Sequence, residues 1–366
     1  MILNNEELII PGDWIPVIQK ILKEKSTVIV LGKTDTGKTS FIKAIARYLV
    51  IRNRKVIIID GDIGQSSLGP PGTVNMCFLD FQRLKCTTTT VDEMIFIGHI
   101  TPAECLGKLI HRVDQLYKIS QRYKSDTIII DTTGLVSGDM GIHLKSSLIE
   151  KIKPSILIAF QEENELESII NKFTSQYFIQ IFCLKSCQFV KRKNWRERKS
   201  RREKKYESYF QNLILRGFDF STGCLMGTYY GHGKLLERKE VKYFSQKYKI
   251  KACSVEIRKD CIILITDNQK CLIERDEIID IKNDFKVSRI ILIPVSWFQY
   301  FLVSFNNKAG LSEGLGIIEK INFREKNLTT YLPGNLKVDN FCQIEIGKLR
   351  AKPNGTELNY TKPSSF

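Results

Sequence analysis

Histidine is scarce in this 366-residue chain, with four in all, and the ten cysteines (Cys77, Cys86, Cys105, Cys183, Cys187, Cys224, Cys253, Cys261, Cys271, Cys342) include no C-x-x-C pair. A zinc site or a disulfide framework is therefore not expected, and free thiols in a reducing compartment are. Long apolar runs are also missing. None approaches the roughly 20 residues of a membrane span, and the start MILNNEELIIPGDW lacks the basic-then-apolar layout of a signal peptide. The expectation is an intracellular protein, cytoplasmic or, in a eukaryote, nuclear, with no membrane partner. Acidic charge is the third shortage: 40 Asp and Glu stand against 56 Lys and Arg, a net charge of +16. Such a balance points to a polyanionic partner, with nucleic acid ahead of membrane because no basic amphipathic anchor accompanies it. Half of the excess is local. The stretch KRKNWRERKSRREKKY (191–206) holds ten Lys and Arg against Glu197 and Glu203, a local net of +8.

What is present is organised around STVIVLGKTDTGKTS (26–40). An apolar run stops at Gly32 and is followed by G-x-x-x-x-G-K-[ST]. In this pattern glycines let backbone N–H groups curl around phosphate oxygens, Lys38 meets the β- and γ-phosphates, and Thr39 offers a hydroxyl to Mg²⁺. Residues Gly32, Lys33, Thr34, Asp35, Thr36, Gly37, Lys38, Thr39 and Ser40 form the candidate triphosphate cradle. FIKAIARYLV continues as an amphipathic helix whose positive end faces it.

Along the chain, a helix capped by Asp13 carries Trp14, Ile15, Ile18 and Ile21 inward. KVIIID (55–60), MIFIGHI (94–100), DTIIID (126–131), SILIAF (155–160) and YFIQIFCL (177–184) read as buried strands. GDIGQSSLGPPGTV reads as a loop, and helices are expected over 103–123, 142–152 and 162–173. Alternating β and α segments predict an α/β P-loop domain with a mostly parallel sheet, whose ligands sit at the strand carboxyl ends near Gly32, Asp60 and Asp131. From about Gly217, short β-branched runs between turn signals predict a β-rich C-terminal domain. The expected division is a short segment 1–25, a P-loop domain 26–216 including the basic stretch 187–210, and a β-rich domain 217–366.

Two acids end strands near the cradle. Asp131 has the place of the carboxylate that holds Mg²⁺ opposite Thr39. Asp60 and Asp62 stand two apart in IIIDGDIGQ, so one can accept a proton from an attacking hydroxyl while the other contacts the metal shell or caps the turn. Spacing does not say which. Lys33, five residues before Lys38, also suits a deviant-Walker ATPase, and D-x-x-G at Asp131–Gly134 suits a GTPase switch, although no N-K-x-D guanine motif is present. A third reading is a subunit that holds ATP as a structural ligand. The basic stretch contains one large apolar residue, Trp195, between 191 and 205, so a solvated linker and a substrate-ordered lid are both open.

GKTDTGKTS, IIIDGDIGQSSLGPPGTV, FIGHITP and IIIDTTGLVSGDMG occur in that order, followed by AFQEENELE, a basic stretch ending in YESYF, GLSEGLGIIEKINF and CQIEIGKLR. This ordered set resembles the polynucleotide 5'-hydroxyl kinases, including the archaeal polyribonucleotide enzymes and the kinase component of eukaryotic pre-mRNA cleavage factor, over most of the chain. The resemblance implies transfer of the γ-phosphate of ATP to the 5'-OH end of RNA, or also of DNA. It implies that Lys38 and Thr39 bind the triphosphate and Mg²⁺, that Asp62 is the base, and that Gln65 lies beside the acceptor with Asp60. Thr101 and Pro102 would belong to a clasp that holds the lysine and the substrate end. The basic stretch would be a lid, and Arg198 and Arg202, four apart on one helical face, would reach the transferring phosphoryl group. Two departures stand out. Leu135 follows Gly134 where cleavage-factor members carry tryptophan, so base stacking there does not carry over, and the N-terminal region is short.

Overall fold

The computed structural model describes residues 10–84, 90–186, 192–222, 224–227, 229–267 and 274–366. Those residues form two compact units that divide between Lys205 and Tyr206. The expected boundary at 216/217 falls instead inside a strand of the second unit.

In the first unit a short turn of helix at Gly12–Trp14 leads into α1 (Ile15–Lys23). Then come β1 (Ser26–Gly32), α2 (Lys38–Ile51), β2 (Val56–Asp60), β3 (Thr73–Leu79), α3 (Phe81–Leu84), β4 (Glu93–Phe96), α4 (Leu106–Ser120), β5 (Thr127–Asp131), α5 (Gly138–Ile152), β6 (Ile156–Phe160), α6 (Glu167–Ile170), β7 (Gln180–Leu184) and α7 (Trp195–Tyr209), whose residues from Tyr206 onward belong to the second unit. Seven strands make one sheet in the order β4-β3-β2-β5-β1-β6-β7. The five from β2 to β7 are parallel, because their apolar runs are buried on both faces by crossover helices. Register sets the chemistry: Asp60 lies opposite Asp131 on neighbouring strands, and Asp131 opposite Val30, two residues before Gly32. Beneath the cradle, Phe41 packs edge-on against Trp14 at 4.9 Å and Phe160 at 5.3 Å, which gives the loop a stiff apolar floor.

Several expected elements differ. Thr73–Leu79 is a strand, antiparallel to β2 and β4, not the tail of a loop. Its polar residues hid it. Thr73 and Asn75 are fully buried, and Asn75 Nδ2 donates to Ser66 Oγ at 3.3 Å and Thr73 Oγ1 at 2.9 Å. The strand expected over 94–100 ends at Phe96, and Gly98 turns the chain at φ +76°. Of the helix expected over 162–173 only Glu167–Ile170 is α-helical, because the Glu165 carboxylate takes the N–H groups of Glu162 and Glu163 at 3.3 and 2.9 Å and holds the segment as turns. On α1 it is Val17 that is buried, while Ile15 is 47% exposed.

The second unit is β-rich and built on two sheets. Strands β8 (Leu213–Asp219), β14 (Phe301–Asn306), β15 (Ser312–Asn322), β16 (Asn327–Pro333), β17 (Gln343–Ala351) and β18 (Glu357–Leu358) pair antiparallel, and β9 (Leu225–Gly227) adds a parallel edge to β17. The other sheet runs β10 (Lys234–Leu235), β11 (Ala252–Ile257), β12 (Cys261–Thr266), β13 (Arg289–Pro294), β19 (Ser364–Ser365), with β12 and β13 parallel. Helices α8 (Arg238–Lys247) and α9 (Arg275–Phe285), absent from the sequence reading, each start on a reciprocal Glu-x-x-Glu cap, Glu237 with Glu240 and Glu274 with Glu277. Among the described residues no helix is long and apolar enough to cross a membrane.

Candidate active site

The loop between β1 and α2 closes on itself. Gly32 has φ +152°, and a Cβ there would lie 2.8 Å from Thr36 Oγ1 and 2.9 Å from the Phe160 carbonyl, so only glycine fits. Gly37 caps α2 in the left-handed region at φ +96°. Lys38 is buried and its Nζ donates to the Gly32 and Lys33 carbonyls at 2.9 and 2.6 Å, while Thr36 Oγ1 donates to the Lys33 carbonyl at 2.9 Å. Burial lowers the pKa of Lys38, against the pull of Asp131, Asp62 and Asp35. Thr34 backs onto Gly134, where a Cβ would stand 2.3 Å from Thr34 Oγ1. Lys33 is exposed and lies 3.7 Å from Glu165; Ser40 is exposed as well.

Thr39 Oγ1 donates to Asp131 Oδ2 at 3.0 Å, and Asp131 Oδ1 is buried without a hydrogen-bond partner among the described residues. Burial, then the charge of Asp60, raises the Asp131 pKa to about 7. A hydroxyl beside a carboxylate with an unsatisfied buried oxygen is the donor set of a hard divalent cation, so these two residues fit Mg²⁺.

The acid pair divides its work. Asp60 is fully buried and committed to the chain that follows: its Oδ2 accepts Ser66 Oγ (3.0 Å), Ser67 N (2.5 Å), Ser67 Oγ (3.1 Å) and Leu68 N (3.0 Å), and its Oδ1 accepts Asp62 N (3.1 Å). Asp62 is half-buried. Its Oδ1 accepts Gly64 N at 3.1 Å and Gln65 N at 3.0 Å, while Oδ2 has no donor among the described residues. Burial, and then Asp60, raise the Asp62 pKa. The 97–105 segment closes on this loop. Ile97 N and Gly98 N both donate to the Gly72 carbonyl, and the Ile100 carbonyl would lie 2.9 Å from a Cβ on Gly64, which brings exposed Thr101 and half-buried Pro102 to the same rim.

The basic stretch is a helix, and it is docked. Asp35, in the left-handed region at φ +61°, accepts Lys193 N and Arg198 through Oδ2 at 2.9 Å each and Lys193 Nζ through Oδ1 at 3.0 Å. Burial works to raise the Asp35 pKa, but hydrogen bonds from Lys193 and Arg198 outweigh it and hold the carboxyl below its ordinary value. Gln65 Nε2 reaches the Arg198 carbonyl at 3.3 Å, and Lys205 Nζ the Ser67 carbonyl at 3.0 Å. On the same helix Arg202 is buried as well, at 9% exposed. Arg198 Nε is buried without an acceptor among the described residues. Trp195 is 67% exposed. Residues 187–191, the start of the expected lid, lie outside the described residues.

Lys145 was missed. It is fully buried on α5 and donates to the Thr133 carbonyl at 2.6 Å and Thr133 Oγ1 at 3.1 Å, directly behind the turn that follows Asp131. Burial, then repulsion from Lys38, lowers its pKa to about 7. The signal lay in the helix pattern: Lys145 stands in the buried stripe of Gly141, Leu144, Leu148, Ile149 and Ile152, where a lysine has no solvent to reach.

A phosphate cradle alone would serve a switch or a pump equally well. Here an acid loop lies beyond the lysine and a basic helix is tied across both, so two substrates can be handled, and that makes this a P-loop kinase. Residues 32–212 match the family described as mRNA cleavage and polyadenylation factor CLP1 P-loop. The chain is 30% identical to a polyribonucleotide 5'-hydroxyl-kinase of Pyrococcus horikoshii, over 95% of this chain and 93% of that one, and 30% identical to one of Methanocaldococcus jannaschii, over 93% and 90%. It belongs to the polyribonucleotide 5'-hydroxyl-kinase family, and that membership implies use of ATP. The structure of a Clp1p–Pcf11p complex shares the fold, with a TM-score of 0.56 at 16% identity over 91% of this chain and 77% of that one.

Proposed function

We propose that this protein transfers the γ-phosphate of ATP to the 5'-hydroxyl of an RNA strand. The observation that carries the reading is the division of labour between the two acids. Asp60 has spent both oxygens on the loop, while Asp62 Oδ2 has no donor among the described residues and lies near Lys38, with a raised proton affinity. Asp62 Oδ2 takes the proton of the 5'-hydroxyl, that oxygen forms a bond to the γ-phosphorus, and ADP leaves as its bond to phosphorus breaks. Gln65 and the rim at Thr101 and Pro102 hold the acceptor end. The amides of residues 32–40 and Lys38 neutralise the triphosphate, and Arg198 and Arg202 stabilise charge on the transferring group. Thr39 and Asp131 would hold Mg²⁺, which would supply further charge neutralisation.

The test is incubation with γ-labelled ATP and matched 5'-OH and 5'-phosphate RNA and DNA oligonucleotides. Label confined to 5'-OH ends is the expected result, and the RNA and DNA arms fix the acceptor. Rapid ATP hydrolysis indifferent to any acceptor would sink the reading and return the chain to the switch-like ATPases.

A further inference from the structure

The second unit holds a cavity of about 370 Å³ that the kinase reaction does not use. Its size is that of small-ligand sites. The walls come from α8, from the start of β11 and from the turn between β15 and β16. Tyr230, Leu235, Val241, Ala252 and Phe323 make them largely apolar. The rim is different in kind: Arg238, Lys242, Lys251, Arg324 and Lys326 all line it, and no Asp or Glu among the described residues does.

The carboxylates around it are already engaged. Glu237 and Glu240 are bound into the cap of α8. Glu256 accepts Gly231 N and His232 N and pairs with Arg258 at 2.7 Å. Asp267 takes Arg324 at 2.6 Å and the Cys253 thiol at 2.9 Å. Arg324 is thereby neutralised, while Arg238, Lys242 and Lys251 are exposed and have no ion pair among the described residues. Like charges around a concave apolar wall repel one another and focus a positive potential into it. A bare inorganic anion would answer the charge and leave the apolar wall wet. A purely apolar ligand would leave the cations unanswered.

We propose that this cavity binds a nucleoside phosphate, with the base against the apolar wall at Tyr230 and Phe323 and the phosphate on Arg238, Lys242 and Lys251. The site is lined by residues of the second unit, and its existence does not depend on the kinase reading. The ligand is either a free nucleotide or one unit of an RNA strand, since both present the same chemistry.

The experiment uses the full chain and a fluorescein-labelled 5'-phosphorylated pentaribonucleotide, followed by anisotropy from low to moderate salt, with unlabelled AMP or unlabelled pentanucleotide as competitor. In the double variant Arg238→Glu/Lys251→Glu, both positions exposed, the affinity should fall about tenfold or more, and the slope of log affinity on log salt should shrink by about 0.7 for each phosphate no longer neutralised. Phosphorylation of a 5'-OH dinucleotide by the same variant should be unchanged. A 4-thiouridine probe should crosslink to peptides containing Tyr230 or Phe323. Displacement by AMP identifies a free nucleotide, and displacement by the pentanucleotide alone identifies a strand. Unchanged affinity and salt slope in the double variant, loss of dinucleotide phosphorylation in parallel with binding, or crosslinks confined to residues 26–205 would each overturn the proposal.

Discussion

The donor and acceptor corners of the first unit are built by opposite means. Within residues 32–40, Lys38 and Thr36 bond to the carbonyls of Gly32 and Lys33, and the outside hydrogen bond that completes the metal pair comes from Thr39 to Asp131. The acceptor corner draws on segments far apart in the chain. Asp60 gathers residues 62–68, Asn75 steadies Ser66, Ile100 backs Gly64, and Arg198 meets Gln65. Contiguous construction gives a generic triphosphate cradle that many chemistries share. Assembly from distant segments is where we place the choice of acceptor.

Substitutions at the two acids can break that comparison, and the largest effect is expected at Asp62. Asp62→Asn should lower phosphoryl transfer by about 10²–10⁴-fold, the usual contribution of a general base, with ATP affinity nearly unchanged; single-turnover kinetics and nucleotide binding measure the two separately. Asp60→Asn should act on the fold. Removing a buried charge that satisfies several donors costs on the order of 3 kcal/mol, read from urea unfolding, with transfer lost only as the loop loosens. If Asp60→Asn kept full stability and lost transfer as completely as Asp62→Asn, the division of roles between the acids would be wrong.

The donor corner was legible in the sequence because each of its parts is a residue type at a fixed local spacing: the glycines, Lys38, Thr39, and the acid ending DTIIID. The parallel sheet was legible for a similar reason, since its strands are unbroken apolar runs. The third strand was not, because Thr73 and Asn75 are polar yet buried by bonds to Ser66 and to each other, which no hydropathy pattern records. Nor were α8 and α9, whose caps use glutamate where Ser, Thr, Asp or Asn is the usual sign. Asp60 and Asp62 could not be told apart by spacing. Only the hydrogen bonds of the folded loop separate them.

Lys145 sharpens the comparison from the donor side, because it supports the turn after Asp131 from a helix more than ten residues away in sequence. Its folded pKa of about 7 lies below the ordinary lysine value of 10.5. The unfolded chain therefore takes up a proton as pH falls below 10.5 while the folded chain does not until about 7, and stability drains across that window. Between about pH 9 and pH 7.5 the loss from this group is about 2 kcal/mol, at roughly 1.36 kcal/mol per unit. Lys145→Met should remove that slope, so the stability difference between variant and wild type, from urea unfolding at the two pH values, should change by about 2 kcal/mol in favour of the variant at the lower pH. Parallel pH profiles would show that Lys145 is not held as a neutral amine in the folded chain.

The smallest effect is expected where the two corners are joined. Asp35 belongs to the cradle by sequence, yet its carboxylate is spent on Lys193 and Arg198, so it ties the basic helix to the donor loop. Because the folded pKa of Asp35 is below 3.8, this tie contributes stability at any pH above that value and is lost only as pH falls through the lower folded value. Asp35→Ala should leave the fold intact, raise KM for ATP about tenfold through release of the helix, and speed tryptic cleavage among residues 192–205 at neutral pH. The two readouts must move together. If cleavage quickened while KM stayed at its wild-type value, the helix would be a tethered linker, with Arg198 and Arg202 playing no part in holding the phosphates. If KM rose without any change in cleavage, Asp35 would be acting within the cradle itself, and the junction between donor and acceptor corners would have to be sought at the bond from Gln65 to Arg198 instead.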